Sequence, residues 1–492
     1  MSVPEGVLIH QLRDAMRAHG AEGRTALIDA AGTAMGYAAL GARIDAYAAG
    51  CHAWGIRRGD AVGIVSPKSF DAVAAFFAIM QAGGCACFIE PDLAASVLRA
   101  RMAGVGMRHL ICAKSIALRA PPGVAMRELE SLALDDDVFA DADLSSQDRA
   151  IMLFTSGSTG APKGIVLSHG NLAANAYGVL RHTGTCATDT LLHAMPLYHT
   201  NGVNNQLIVP LLAGASIVLA DRFRAEDTVQ RLKSGAITYM TGVPTMYSRM
   251  LPFVSPQDRF AFVRFLRCGS APITAALQQQ IEAAFGVPLV ISYGLSEATC
   301  TSTMNPPAAR RLGTVGTVLA GQDVRLFEPN GDTEVPAGGE GEIRIGGPAL
   351  MQGYIGASAA SPIVDGWLRT GDLGSFDADG YLSITGRIKD VIIRGGENIS
   401  PALIEQHLAA HPMVRDCCVI GAPHADLGEV PVAFIVARGT PAIEAKTLAD
   451  FIQLRLSRIY VPMAFHVVDL LPTNAVGKVD RAALRQRVEA TP

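Results

Sequence analysis

One stretch limits what this chain can be: Leu153-Phe154-Thr155-Ser156-Gly157-Ser158-Thr159-Gly160-Ala161-Pro162-Lys163-Gly164, with two glycines and four hydroxyl side chains between an apolar run and a lysine, and a third glycine directly after it. Glycine lets backbone N–H groups point at an anion with no Cβ in the way, the hydroxyls add donors, and Lys163 brings a point charge. The stretch is built to hold phosphate. A flexible Ser/Gly linker is the plain alternative, but linkers rarely lie directly between runs such as Ile151-Met152-Leu153-Phe154 and Ile165-Val166-Leu167. A Walker loop needs glycine before its lysine and Ser or Thr after it; here Pro162 precedes and Gly164 follows. This is a different nucleotide loop.

At 492 residues the chain exceeds a single core, so at least two domains are expected, and 49% hydrophobic with 17% charged residues is ordinary globular composition. A net charge of −4 exerts no general pull on nucleic acid or anionic lipid, so phosphate binding must be local. Nucleic acid is not expected as a partner. Nine cysteines without CxxC spacing, including Cys417-Cys418 and the alternating Cys85 and Cys87, read as small apolar residues in a reducing compartment rather than a zinc site. The N-terminus lacks a basic region followed by an apolar core, and the apolar stretch from Leu207 to Ala220 is broken by Pro210 and Gly214. A cytoplasmic protein with no integral membrane segment is expected.

Spacing predicts helices over Leu8 to Arg17, Leu40 to Trp54, Ser69 to Gln81 and Leu277 to Phe285, and strands at Ala61 to Val65, Cys85 to Ile89, Ser216 to Leu219 and Leu289 to Ser292. This strand, helix, strand alternation signals a parallel sheet with crossover helices, so the first three quarters read as α/β. Beyond about Gly341, glycine-punctuated short strands suggest a small antiparallel or barrel-like subdomain. After Gly386-Arg387-Ile388-Lys389-Asp390, a helix capped by Ser400 with Pro401 at its first position opens a separate α+β domain of about one hundred residues. The aspartate-rich segment from Leu134 to Arg149 reads as a solvated connection into the phosphate loop.

Five motifs fall in one order: Thr155 to Gly164, Tyr293-Gly294-Leu295-Ser296-Glu297, Arg369-Thr370-Gly371-Asp372-Leu373, Gly386-Arg387-Ile388-Lys389-Asp390 and Pro472-Thr473-Asn474-Ala475-Val476-Gly477-Lys478. In this the chain resembles the adenylate-forming superfamily of acyl-CoA synthetases, peptide-synthetase adenylation domains and luciferases. The resemblance implies a large N-terminal domain (1–388) that binds ATP and the acid, a small mobile C-terminal domain (389–492) hinged near Lys389, and activation of a carboxylate by ATP.

That reaction brings two anions together and expels pyrophosphate, so it needs charge neutralisation and alignment at the phosphates. By resemblance Thr155, Ser156, Gly157, Ser158, Thr159, Gly160 and Lys163 wrap the β- and γ-phosphates. Glu297, a lone carboxylate, fits a Mg²⁺ ligand. Tyr293 stacks on adenine, with Gly269, Ser270, Ala271, Pro272, Ser292, Gly294 and Ser296 around the nucleotide; Ser296 stands where the family usually has threonine. Asp372 suits the ribose hydroxyls, since a carboxylate accepts two hydrogen bonds, and Arg387 lies close by. Lys478 swings in on the small domain to bridge carboxylate and α-phosphate oxygens. For the second half-reaction the small domain rotates and brings Gly395, Gly396 and Glu397 to a thiol tunnel.

His199 stands by resemblance at the mouth between acyl pocket and thiol tunnel, as a gate and pocket wall, and completes a catalytic set with Lys478, Glu297 and Lys163. Asn204 and Asn205 follow on an expected helix, and Thr241 and Gly294 shape the same pocket. Paired asparagines are more polar than a fatty-acyl tunnel wants, which points to a small or polar acid, although they serve equally well as partners of helix ends. The leading expectation is an ATP-, Mg²⁺- and CoA-dependent acid–CoA ligase, favoured because Gly428 to Val436 resembles the small domain of CoA ligases and no carrier segment follows Pro492. The alternative is transfer to a carrier protein or amine; a nucleotide-binding homologue without catalysis is the third reading. A homodimer is compatible with all three.

Overall fold

The structure is a computed structural model and describes residues 6–133, 142–155, 163–356, 361–439, 443–473 and 479–489. Strand pairing gathers them into four sheets. The first runs, in spatial order, through Thr317–Val318, Thr303–Met304, Leu289–Tyr293, Phe265–Cys268, Tyr239–Gly242, Thr190–His193, Ser216–Leu219, Thr25–Ile28 and Ala34–Gly36. Its six middle strands are parallel, with antiparallel strands at both edges. The second orders Gly353–Ile355, Lys163–Ser168, Arg149–Thr155, Cys85–Phe88, Ala61–Val65, His109–Cys112 and Ala125–Glu128.

Alternation along the strands explains the layers. Successive side chains leave a strand on opposite faces: Leu191 joins the core between the two sheets and Leu192 the outer core of the first, while Ile64 joins the central core and Val65 the outer core of the second. Both faces are covered, hence the uninterrupted apolar strands. The helix Phe70–Gln81 lies inside the central core, with ten residues from Ala72 to Gln81 buried, so it is apolar all round. Ser69 caps it, its Oγ accepting from Ala72 N at 3.1 Å. The stretch from 207 to 220 breaks at its glycine and not at its proline: helical backbone continues through Pro210 to Ala213, Gly214 is left-handed, and Ser216–Leu219 is a strand.

The third sheet is antiparallel throughout: Asp323–Phe327, Glu340–Gly346 and Trp367–Phe376 in order, with Ile363–Val364 and Leu382–Arg387 both on Trp367–Phe376. The fourth belongs to a smaller C-terminal domain, where Glu397–Ile399, Ile392–Arg394, Gly428–Ala437 and Val414–His424 pair in order and Ala464–Val467 runs parallel to Gly428–Ala437. Ser400 caps Pro401–Ala409 as expected. Among the described residues, no helix is long and apolar enough to cross a membrane.

One element departs from expectation. Asn201–Ile208 is a π-helix with every residue buried, where an ordinary helix is expected. Such turns are rare and gather at functional sites.

Candidate active site

The site is organised by Tyr293 to Glu297, the last residue of the strand Leu289–Tyr293 and the four that follow it, at the carboxyl end of the parallel strands, where open α/β sheets bind ligands. Gly294 is required there by close approach: a Cβ would sit 2.1 Å from the Cys300 carbonyl oxygen. From this turn, three side chains reach three other parts of the chain.

The first is Tyr293, whose hydroxyl donates to Asp372 Oδ2 at 2.8 Å; Arg387 Nε meets the other carboxylate oxygen at 2.6 Å. Asp372 and Arg387 are partners across the third sheet, so the ion pair follows from register. Asp372 is 2% exposed, whereas half of the Arg387 side chain is open to solvent. Thr370 orients the loop, its Oγ1 accepting from Asp372 N at 3.0 Å and donating to Ile343 O at 2.6 Å. Burial first, then the Asp372 charge, pushes the Tyr293 phenol well above its ordinary value, so it stays a neutral donor.

The second is Glu297, in the 3₁₀ turn Ser296–Ala298. Its Oε1 accepts from the Tyr354 hydroxyl at 2.8 Å, and Lys163 Nζ lies 5.4 Å from the centroid of the same ring. Tyr354 sits on Gly353–Ile355, which pairs antiparallel with Lys163–Ser168, placing the strand that leaves the phosphate loop beside Glu297. Burial and the neighbouring carboxylate raise the Tyr354 phenol too. Sequence reading missed Tyr354, because a single tyrosine in a glycine-punctuated stretch has no periodic signal.

The third is Ser296, whose Oγ is 2.7 Å from Thr200 Oγ1, so the segment carrying His199 is held against the turn. His199 itself is half-buried, its ring 4.8 Å from that of Tyr198. Behind it His193 donates from Nε2 to Gly202 O at 2.9 Å; burial lowers it to about 3, so it is neutral at physiological pH and pins the start of the π-helix.

The asparagines brace the floor. Asn204 Nδ2 donates to Asn175 Oδ1 at 2.8 Å, and Asn175 Nδ2 donates to Thr301 O at 2.6 Å. Asn205 Nδ2 reaches Asn201 Oδ1 at 3.1 Å, Cys300 Sγ at 2.9 Å and Thr301 Oγ1 at 3.3 Å. Thr241 is buried on the neighbouring strand with its Oγ1 unpartnered among the described residues. In register with it on Phe265–Cys268 is Arg267, 3% exposed, donating to Thr301 Oγ1 at 2.5 Å and Ser292 Oγ at 3.3 Å. Gly269 lies against Ser292, and Ser270 takes a left-handed φ of 66° before Ala271 and Pro272. Arg267 was also missed: an arginine inside an apolar strand signals nothing until its surroundings are known.

On the smaller domain, Lys389 is exposed in the 3₁₀ turn Ile388–Asp390 between the third and fourth sheets. Gly395 and Gly396, at φ 57° and 90°, form the two-residue turn joining Ile392–Arg394 to Glu397–Ile399, a geometry that needs positive φ twice. Turn geometry alone therefore accounts for both glycines. Ser156, Gly157, Ser158, Thr159, Gly160 and Lys478 lie outside the described residues, as does the side chain of Thr155.

A strand-end turn that gathers a carboxylate, an aspartate–arginine pair and the lysine with which a strand leaves a glycine- and hydroxyl-rich sequence, with a smaller domain following, defines an adenylate-forming enzyme. The family model described as AMP-binding enzyme matches residues 14–355, and that described as AMP-binding enzyme C-terminal domain matches 403–478, ending on Lys478. A feruloyl-CoA synthase of Amycolatopsis is 34% identical over 93% of this chain and 94% of its own. A sulfoacetate–CoA ligase of Cupriavidus necator is 36% identical over 68% of this chain and 66% of its own. The structure of ATP-bound MatB from Rhodopseudomonas palustris superposes with a TM-score of 0.89 at 30% identity, over 97% of this chain and 99% of that one. The chain belongs to the AMP-binding enzymes, in their acid–CoA ligase branch, and is an acyl-CoA synthetase.

Proposed function

We propose that the enzyme activates a small or polar carboxylic acid in two steps. A carboxylate oxygen attacks the α-phosphorus of ATP, the bond to the β-phosphate breaks and pyrophosphate leaves; the CoA thiolate then attacks the acyl carbonyl of the adenylate and AMP leaves. The observation that carries this reading is the turn Tyr293 to Glu297, which ties Asp372 and Arg387, Tyr354 and Lys163, and the His199 segment to one place. In this assignment Lys163 and residues 155–160 hold the β- and γ-phosphates, Asp372 takes the ribose hydroxyls, and Tyr293 and Gly269 to Pro272 border the base. Residues 1–388 form the ATP- and acid-binding domain; the domain 389–492 turns about Lys389, bringing Lys478 for adenylation and the hairpin Gly395 to Glu397 for thioester formation. The buried Arg267 and the Thr241 hydroxyl, unpartnered among the described residues, support a small or polar acid over a long hydrocarbon.

Glu297 is the residue that would hold Mg²⁺. The fit is chemical: Tyr354 takes one oxygen of its carboxylate, and magnesium typically uses one or two protein carboxylates with phosphate oxygens and water. The ion would supply charge neutralisation at the departing phosphates. Glu297→Ala is expected to raise the Mg²⁺ concentration needed for half-maximal pyrophosphate release about tenfold or more. An unchanged magnesium titration removes Glu297 as ligand.

Acceptor choice is tested with purified enzyme, ATP, a panel of acids, and free CoA. Acid-dependent consumption of CoA with one AMP released per thioester is expected. AMP release that requires a carrier protein or amine, with CoA untouched, selects the transfer alternative instead.

A further inference from the structure

Arg267 carries a charge that the fold does not answer. It lies mid-sheet on Phe265–Cys268, between parallel neighbours, with Thr241 and Val290 opposite it in register. Its side chain is 3% exposed, yet among the described residues no carboxylate pairs with it. Two hydroxyls, Ser292 Oγ and Thr301 Oγ1, are its hydrogen-bond partners. The titratable groups that act on it or feel it are Cys300, Tyr239 and Tyr247, whose pKa values burial raises, and His182, whose pKa burial and then the Arg267 charge lower, so none of them supplies a carboxylate. A guanidinium cannot shed its proton to escape, and an uncompensated buried cation destabilises the fold that contains it.

The surroundings place this cation beside the strand-end turn around which the site is built. Ser292 immediately precedes Tyr293 and Gly294, and Thr301 follows Cys300, whose carbonyl packs on Gly294. Further acceptors and donors wait nearby without partners among the described residues: Thr241 Oγ1 and Asn205 Oδ1, the latter on the side chain whose amide donates to Thr301 Oγ1. A planar fork with an unfilled charge, beside a Thr241 hydroxyl that has a proton to donate, is an arrangement that recognises a carboxylate or sulfonate.

We propose that Arg267 is the specificity-determining residue of the acid pocket and that the substrate is an acid with a second anionic group, which Arg267 binds while the first is activated. This rests on the acid ligase reading given above. An acid with an uncharged tail leaves the guanidinium buried and unpaired in the complex, so rejection of such acids follows from the cost of that orphaned charge.

The test uses the full-length enzyme with ATP, Mg²⁺ and CoA, following pyrophosphate and thioester. Diacids of two to five carbons and sulfo-acids of matching length are compared with the monomethyl esters of the diacids, which keep the length and cancel the second charge. Wild type is expected to favour a doubly anionic acid by about 100-fold or more in kcat/KM, and whether carboxylate or sulfonate wins identifies the group. Arg267→Met is expected to bring acid and ester within about threefold of each other, with Arg267→Lys between. A wild-type ratio near one overturns the proposal and needs no variant to fold. Equal loss of both substrates in Arg267→Met overturns it as well, because the arginine then serves the reacting carboxylate or the fold. Thioester formation from uncharged-tailed acids alone leaves the ligase reading standing and this inference refuted; CoA untouched by every acid refutes both.

Discussion

Replacing Lys478 with alanine is expected to slow acyl-adenylate formation by roughly 10²–10³-fold, about 3–4 kcal/mol of barrier, while thioester formation from supplied acyl-adenylate stays within about threefold of wild type. The reason is charge. A carboxylate approaching an α-phosphate meets like charge, and a preorganised cation between them does most in the transition state, where the two are closest. Once the mixed anhydride exists that repulsion is gone, and the proposed rotation about Lys389 has carried Lys478 away. The lysine closes a segment, 474–478, with a well-anchored stem. Thr473 and Val479 bridge, Asp480 N donates to Pro472 O at 2.8 Å, and Arg481 in the next helix pairs with the partly buried Glu405 at 2.8 and 3.1 Å. Lys478→Arg, with its longer and planar head, should recover only part of the rate, because a bridging point charge and a planar fork are not interchangeable. Pyrophosphate exchange and single-turnover thioester formation read the two halves separately. Equal loss in both would sink the two-conformation account.

How much of this was legible beforehand depends on the kind of signal. The layered α/β architecture was, because buried parallel strands and their crossover helices write long apolar runs with clear stops, as Ser69 and Gly286 do. The convergence of Asp372, Arg387, Glu297 and Lys163 on one turn was legible from their motifs, since each stands in a recognisable local context. Their neighbours were not. Tyr354 meets Glu297 only because Gly353–Ile355 happens to pair with a strand nearly two hundred residues earlier, and Thr200 meets Ser296 through tertiary packing. The π-helix at Asn201–Ile208 has no composition of its own; it is stabilised by partners on other elements, including Asn175 and His193. Arg267 is the sharpest instance. Its meaning lies in the carboxylate missing from its described neighbours, and a partner's absence cannot be read from a linear pattern. The asparagines show the converse: a polar pair taken as pocket lining is largely spent on bracing the 298–301 loop.

The second large effect is expected at Asp372. Its two carboxylate oxygens already accept from Arg387 Nε at 2.6 Å and the Tyr293 hydroxyl at 2.8 Å, and about two further lone-pair sites remain for the proposed ribose hydroxyls. Asp372→Ala is expected to raise KM for ATP about 100-fold, with a smaller fall in stability of about 1–3 kcal/mol from the orphaned Tyr293 hydroxyl; Arg387, half open to water, resolvates cheaply. Those two effects must be separated, since a structural clasp would also damage activity. The separation comes from the substrate. With wild type, 2′- and 3′-deoxy-ATP should each lose about tenfold or more in kcat/KM relative to ATP; with Asp372→Ala the deoxy nucleotides and ATP should be nearly equal, because the group that distinguished them is gone. Asp372→Asn keeps the shape and can still accept on one atom, so it should fall between, retaining preference for one hydroxyl over the other. If the alanine variant still discriminates deoxy from ordinary ATP as wild type does, Asp372 only holds Tyr293 and Arg387 in place, and the ribose contact must be sought elsewhere around the turn.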